Sequence, residues 1–221
     1  MAKLQENKSA GALSHIRIVE LGDIPASYAT RLLADLSADV IKVEPLGGDP
    51  NRLLPPFAGN IEDLERSLTF INANTNKRSI VLDLKTSPRD REIFAKLLAS
   101  AHLFVEATPL GALEAQGFTD ESLKKINPTL VTVALTPFGR TGPHRHYKGS
   151  DAIANASGGF LYGQGDRTKG QCTAPSPLAY QVAACVAAAL GRAGIRHSRF
   201  TGAGQRIDGS LQEERTFTTN S

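Results

Sequence analysis

Only two cysteines, Cys172 and Cys185, stand among 221 residues, too few for a disulfide framework. No CxxC pair or Cys/His cluster has zinc spacing, and neither thiol has a His or Lys beside it to make it a nucleophile. Charge of one sign is also scarce. A net charge of +3 is too weak to argue for nucleic acid, yet it does not oppose a phosphorylated ligand. Long apolar runs are missing too. The first twenty residues hold nothing resembling a signal peptide, and the stretch from Val182 to Leu190 is too short to span a bilayer. The closing "TTNS" matches no simple address signal. A soluble, cytoplasmic protein without membrane or nucleic-acid partners is expected, with no metal site.

What is there alternates between strand and helix. With 41% hydrophobic and 21% charged residues, the chain is long enough for one well-buried domain, or one and a fragment. "IRIVEL" (16–21), "DVIKVE" (39–44), "SIVLDL" (79–84), "HLFVEA" (102–107) and "TLVTVAL" (129–135) read as strands. "PASYATRLLADLSA" (25–38) and "PRDREIFAKLLASA" (88–101) read as helices, the second opened by Ser87-Pro88. A short helix ends near Gly117, and Asp120 is expected to cap another through Lys125. "APSPLAYQVAACVAAALG" (174–191) passes from a Pro-bounded turn into an alanine-rich helix. Strands separated by helices predict an α/β fold with a parallel sheet and right-handed crossovers. Residues 1–15 are expected to form a flexible segment, 16–212 the domain and 213–221 a tail.

Dinucleotide and P-loop signatures are absent. The loop after the first strand reads "LGDIPASYAT", with no GxGxxG, and no GxxxxGK[ST] occurs. "GRTGPH" (139–144) and "GGFLYGQG" (158–165) are glycine-rich without that spacing and read as flexible turns.

The blocks "LLADLSADVIKVEPLGGDPNR", "NANTNKRSIVLDLKTS", "INPTLVTVALTPFGRTGP", "GSDAIANASGG" and "TGAGQRIDGSLQE" fall in a specific order and spacing. From about Ile16 to Gln212 the sequence resembles the class III CoA-transferases, a group that includes formyl-CoA transferase and alpha-methylacyl-CoA racemase. The resemblance implies a Rossmann-like large domain with a smaller one, and two chains threaded as interlocked rings. It covers the amino-terminal half of those longer proteins. It also implies CoA transfer between carboxylic acids, with the coenzyme A thioester as substrate rather than as a tightly bound cofactor. A homodimer, or a heteromer with a related chain, is expected.

By the same resemblance, a single Asp occupies the entrance of the helix before the "TGxGQ" turn. Counting back from Gln205 places that Asp on Tyr180. The transfer needs a carboxylate that attacks the thioester and is itself converted to a CoA thioester. A phenol with pKa of about 10 has no carbonyl to carry CoA. The plainer reading of Tyr180 is an amphipathic residue starting an apolar helix. A racemase would need a His/Asp pair, whose positions match Ser150 and Tyr180, with His144 and His146 a few residues upstream. Asp151 matches the family pattern, and also suits a plain N-cap.

Leu82, Lys85 and Lys148 fall where family members contact CoA, the lysines as point-charge partners of its phosphates. A solvated surface charge is the alternative for each lysine. Ala107 and Thr108 replace an Asn and a Phe of the family's CoA-contacting turn, Ala115 replaces a basic residue, and the first loop is one residue short. The Asn side chains of "NANTNKRSI" are expected to hold their loop through backbone hydrogen bonds, and Glu44 and Asp49 to shape the "PLGG" turn. Three readings follow: a CoA-transferase-like enzyme with Tyr180 in place of Asp; a non-catalytic subunit of a CoA-transferase heteromer; or a racemase-like or truncated inactive homologue.

Overall fold

The computed structural model describes residues 11–219 apart from positions 167 and 175. The expected flexible segment lies outside the described residues up to position 10; beyond it Leu13 is already buried. The strands are β1 (Arg17–Gly22), β2 (Asp39–Glu44), β3 (Arg78–Val81), β4 (Leu103–Ala107), β5 (Val131–Thr136) and β6 (Arg206–Ser210). The helices are α1 (Ile24–Ala34), α2 (Leu68–Asn74), α3 (Pro88–Ala99), α4 (Ala112–Ala115), α5 (Asp120–Ile126), α6 (Asp151–Ser157), α7 (Leu178–Thr201) and α8 (Leu211–Thr219).

Within the sheet the strands of the described residues pair in parallel, in the order β3-β2-β1-β4-β5-β6. The chain builds from β1 to one edge, then returns to β4 and builds to the other. A switch point therefore lies between β1 and β4, where loops leaving the two strands diverge and open a crevice. Alternate residues of the strands face opposite layers. Ile18, Val40, Leu103, Val105, Val131 and Val133 pack under α1 and α7, whereas Val19, Val43 and Phe104 meet α3, α4 and α5. Phe94 anchors the second layer, edge-on to Phe104 at 5.7 Å and to Phe118 at 4.8 Å.

The differences from the sequence reading are local. β3 stops at Val81 because Asp83 turns the chain, accepting the N–H groups of Lys85 and Thr86 at 3.0 Å each. α1 ends at Ala34 rather than at 38, and Ser37 takes a left-handed φ of 75° to enter β2. Thr119, not Asp120, caps α5; its hydroxyl accepts the Ser122 N–H at 3.2 Å. Ser87 caps α3 as expected, with Pro88 in the first turn. β6 was not anticipated, since "RIDGS" offers Ile207 as its one large apolar residue. Residues 213–219, read as a tail, belong to α8.

α7 is long and apolar enough to cross a membrane by length and composition. Its inner face instead seats on α1 and the sheet through Ala183, Ala184, Ala187, Ala188, Gly191 and Gly194. A Cβ on Gly194 would come within 2.7 Å of Val131 Cγ1, so only hydrogen permits this approach.

A charged cluster lies inside the first layer. Glu20 and Lys42 face each other across β1 and β2, both buried, with Nζ 2.7 Å from Oε1. Lys77, from the loop before β3, meets Oε2 at 2.7 Å. The hydroxyls of Ser27 and Thr30 in α1 donate to the same carboxylate at 2.6 and 2.5 Å. Asp49 completes the balance, 2.6 Å from Lys42. Two ammonium groups thus face two carboxylates, and every Glu20 lone pair has a donor, which is what makes burial of the charge tolerable. The Asn-rich motif works through this lysine. Asn74 accepts from Lys77 Nζ at 2.9 Å and donates to the Phe70 carbonyl, while Asn72 and Asn76 reach the side chains of Arg31 and Asp35. Only Asn74 makes the backbone bond expected of all three.

Burial raises the pKa of Glu20, but Lys42 and Lys77 outweigh it and hold the carboxyl at about 2, below the ordinary 4.5. The unfolded chain therefore binds more protons between these values. The contribution is fully present above pH 4.5 and drains as pH falls toward 2. Urea titrations are expected to show constant stability from neutral pH to about 4.5 and a steep loss below it. Glu20→Gln leaves an excess buried cation and should cost about 3–5 kcal/mol at neutral pH. A loss under about 1 kcal/mol would contradict this account of the cluster.

Candidate functional site

The crevice at the switch point is a cleft of about 830 Å³ at the carboxyl ends of β1 to β4. Gly22, Asp23 and Ile24 form one wall, and the turn from Glu44 to Asn51 forms the next. Leu82 to Thr86 and Ala107 to Pro109 complete the far side, and Tyr180 closes it from α7. Gly22 lets the wall stand where it does. Its φ of 111° is left-handed, and a Cβ there would lie 2.4 Å from the Ala107 carbonyl oxygen.

Of the residues singled out from sequence, Leu82, Lys85 and Tyr180 are brought together in this cleft. Leu82 is buried in its wall and Lys85 is exposed at its edge. Lys148 is exposed on the segment between β5 and α6, outside the lining. Ala107 and Thr108 do line the cleft, whereas Ala115 is exposed on α4 and does not. His144 and His146 are exposed and outside it; His144 stacks with Tyr147 at 5.0 Å. Ser150, where a racemase would hold its His, caps α6 by accepting the Ile153 N–H.

The entrance of α7 is already occupied by an anion. Pro177 supplies no side-chain cap, and Asp151, the first residue of α6, does so from a distance of 29 positions in the chain. Its Oδ1 accepts the Tyr180 N–H at 3.0 Å, and the nearby Ala179 N–H also favours its charged form. Its Oδ2 takes an N–H of Asn155 at 2.8 Å. Arg215, stacked 3.7 Å above the Phe160 ring, adds opposite charge nearby. Burial pushes the Asp151 pKa upward against these bonds. The helix dipole therefore acts on a protein carboxylate rather than on an open anion site. The Tyr180 side chain is half-buried against the α1–α7 core, and its phenol makes no hydrogen bond among the described residues. Burial raises its pKa, and the charges of Asp23 and Asp151 add to the rise, so the phenol stays protonated at neutral pH.

The cleft floor is rigid. Glu44 accepts from Arg52 Nε at 2.8 Å, from Ser79 Oγ at 2.5 Å and from the Asp49 N–H at 2.9 Å. Burial opposes its charge, but those bonds hold it at about 2. Arg52 is fixed in turn by the Phe70 ring, 3.8 Å below its guanidinium. The expected shaping role of Glu44 and Asp49 is what the geometry shows. On the opposite layer Glu106 is buried between Arg140 and Arg206 and accepts from Thr108, tying β4, β5 and β6 behind the cleft. Sequence reading missed three of these features: the Glu20 cluster, the long-range cap by Asp151, and Asp23 in the cleft wall. Only the first left a signal, a Glu and a Lys in the middle of neighbouring apolar strands.

A profile described as CoA-transferase family III matches residues 13–220. The subunit BbsE of succinyl-CoA:(R)-benzylsuccinate CoA-transferase from Thauera aromatica is 36% identical over 195 residues, covering 88% of this chain and 47% of that protein. The beta subunit of succinyl-CoA–L-malate CoA-transferase from Chloroflexus aurantiacus is 35% identical, covering 91% of this chain and 49% of that protein. A crystal structure of a CAIB/BAIF family protein from Brucella suis superposes with a TM-score of 0.87 at 30% identity, covering 94% of this chain and 55% of that one. The chain spans about half the length of the curated relatives it matches.

Removing the cap from α7 should loosen its first turn and little else. Asp151→Ala is expected to cost about 1–2 kcal/mol in urea titration. Hydrogen exchange should quicken at the Tyr180 amide while amides deep in α7 stay protected. Unchanged protection at Tyr180 would show that another group caps the helix.

Proposed function

Because the chain belongs to CoA-transferase family III, we propose that its cleft takes an acyl-CoA thioester and serves CoA transfer between carboxylic acids. The observation that carries this reading is the meeting of Leu82, Lys85 and Tyr180 in one cleft at the switch point of the sheet. Such crevices bind ligands because strand ends and loop backbones converge on them. Leu82 offers an apolar wall to the adenine, and Lys85 a point charge to the phosphates. Lys148 is the second cation proposed for the phosphates, presented from the loop that precedes α6. CoA is substrate here, exchanged rather than held. CoA affinity measured by calorimetry is expected to fall as salt rises, because exposed charge pairs are screened. Lys85→Ala should weaken binding by about 2–5-fold, and Lys148→Ala in the same direction. Affinity indifferent to salt and to both variants would remove these lysines from the site.

A second reading, that the chain acts as a subunit beside a related chain, has its own support. Tyr180 is a phenol where the resemblance expects a carboxylate, and two of the relatives above are named as subunits. The outer face of α7 offers a surface for such a partner. Cys185, Ala189, Leu190 and Ala193 are exposed along it, with Val182 and Val186 half-buried between them. Leu190 is 42% exposed. Sedimentation is expected to show a dimer, or a heteromer when the related chain is present. A stable monomer at micromolar concentration would overturn this part of the proposal.

A further inference from the structure

A second hollow, of about 180 Å³, lies between α5 and the amino ends of β5 and β6 and shares no lining residue with the cleft. Leu123 and Leu130, both buried, form an apolar wall with Pro128. Gly204 lets the turn into β6 close the back. A Cβ there would lie 2.1 Å from the Leu130 carbonyl oxygen.

Most acceptors of this lining are spent. The Pro128 carbonyl takes the Gly204 N–H at 2.7 Å, and the Gln205 carbonyl takes the Thr132 N–H at 2.9 Å. Asn127 donates to the Leu98 and Ala101 carbonyls, and its Oδ1 accepts from the Thr129 backbone and hydroxyl. What remains open is a set of donors. Parallel pairing sets Thr132 beside Arg206, on the face opposite Val131, Val133 and Ile207. Thr132 is 5% exposed, and its hydroxyl has no partner among the described residues. The Thr136 hydroxyl is sealed inside the protein, whereas that of Thr132 opens onto the hollow. Arg206 gives Nη2 to Glu106 at 3.0 Å and has its Nε enclosed, so Nη1 is the end that meets the hollow. Lys124 stands at the rim, exposed and without an ion pair among the described residues. One acceptor is left, Asp120, which pairs with Arg206 Nη1. Its side chain is 64% exposed, and so wet an ion pair is weak enough to exchange.

We infer that this hollow binds a small aliphatic carboxylate, and that Asp120 competes with the ligand's carboxyl group for Arg206. When Asp120 swings out to water, the ligand carboxylate takes Arg206 Nη1 and the Thr132 hydroxyl, and Lys124 adds opposite charge. Its carbon chain lies on Leu123 and Leu130, where burial of apolar surface adds to the binding. A phosphate would meet the same donors but leave that wall uncovered. A cavity of about 150 Å³ admits benzene, so this one has room for an acid of about six non-hydrogen atoms, such as butyrate. No residue involved lines the cleft, so the site stands or falls apart from the CoA reading.

The test follows backbone amides of the full chain by nuclear magnetic resonance as butyrate is added, with chloride holding the ionic strength constant. Saturable shifts are expected at Lys124, Thr132 and Arg206. Thr132→Val removes a hydroxyl that bonds to nothing in the protein, so the urea midpoint should stay in place while butyrate affinity falls about 10-fold. Asp120→Asn should tighten binding about 3–5-fold, because the competing charge is gone. Shifts confined to the cleft, or an affinity that neither variant moves, overturn the site. Inorganic phosphate binding as tightly as butyrate would overturn the assignment to a carboxylate, since charge alone would then account for the binding.

Discussion

The carboxylate of Glu20 is the constraint on which the rest of this structure depends. A buried negative charge in the middle of a strand requires donors on every side, and the chain draws four of them from three separate places. Lys42 comes from the neighbouring strand, Ser27 and Thr30 from α1, and Lys77 from the loop that leads into β3. Satisfying one oxygen pair therefore sets the tilt of α1, the register of β2 and the path of the Asn-rich loop together. Two of those pieces, α1 and β2, also supply Ile24, Val43 and Glu44 to the lining of the cleft. A hydrophobic replacement would hold the layers together, but it would not specify their relative positions in the same way.

How much of this was legible in the sequence depended on distance along the chain. β1, β2, β4 and β5 are short apolar runs closed by Gly, Pro or charged residues, and local composition is enough to place them. Ser87-Pro88 carries its own geometry, so the start of α3 could be read directly. β6 lacks such a signal, because a strand at the sheet edge with one large apolar residue is held by its pairing with β5 and not by its composition. The same holds for the Asp151 cap. The carboxylate and the helix it caps are separated by the whole loop that joins them, and nothing local in "GSDAIANASGG" distinguishes a residue that caps its own helix from one that caps another. Asp23 was passed over for a third reason. Its position was read as part of a shortened loop, and its place in the cleft wall is visible only once β1 and α1 are folded around it.

The resemblance drew attention to the entrance of α7, and the geometry changes what that entrance means. An open helix N-terminus facing a crevice would be a place for a substrate carboxylate or phosphate. Here Asp151 already sits on the free N–H groups, and Tyr180 presents a protonated phenol to the space in front of them. The α7 side of the cleft is thus a donor surface with little capacity for a further anion. Negative charge enters the cleft from the β1 wall, and positive charge stands at its edge in Lys85. The cleft is thus polarised, with carboxylates on its walls and a cation at its rim.

The alanine and glycine face of α7 has a consequence for how the protein can change over generations. The inner positions hold alanine or glycine, so nearly every substitution there enlarges the side chain, and at Gly191 and Gly194 the sheet leaves almost no room to enlarge into. The outer positions meet no such wall, and their side chains can be exchanged freely without disturbing the fold. Drift is therefore confined to one side of the helix. The outer surface of the helix can change its chemistry across a lineage while its seat on the sheet stays as it is.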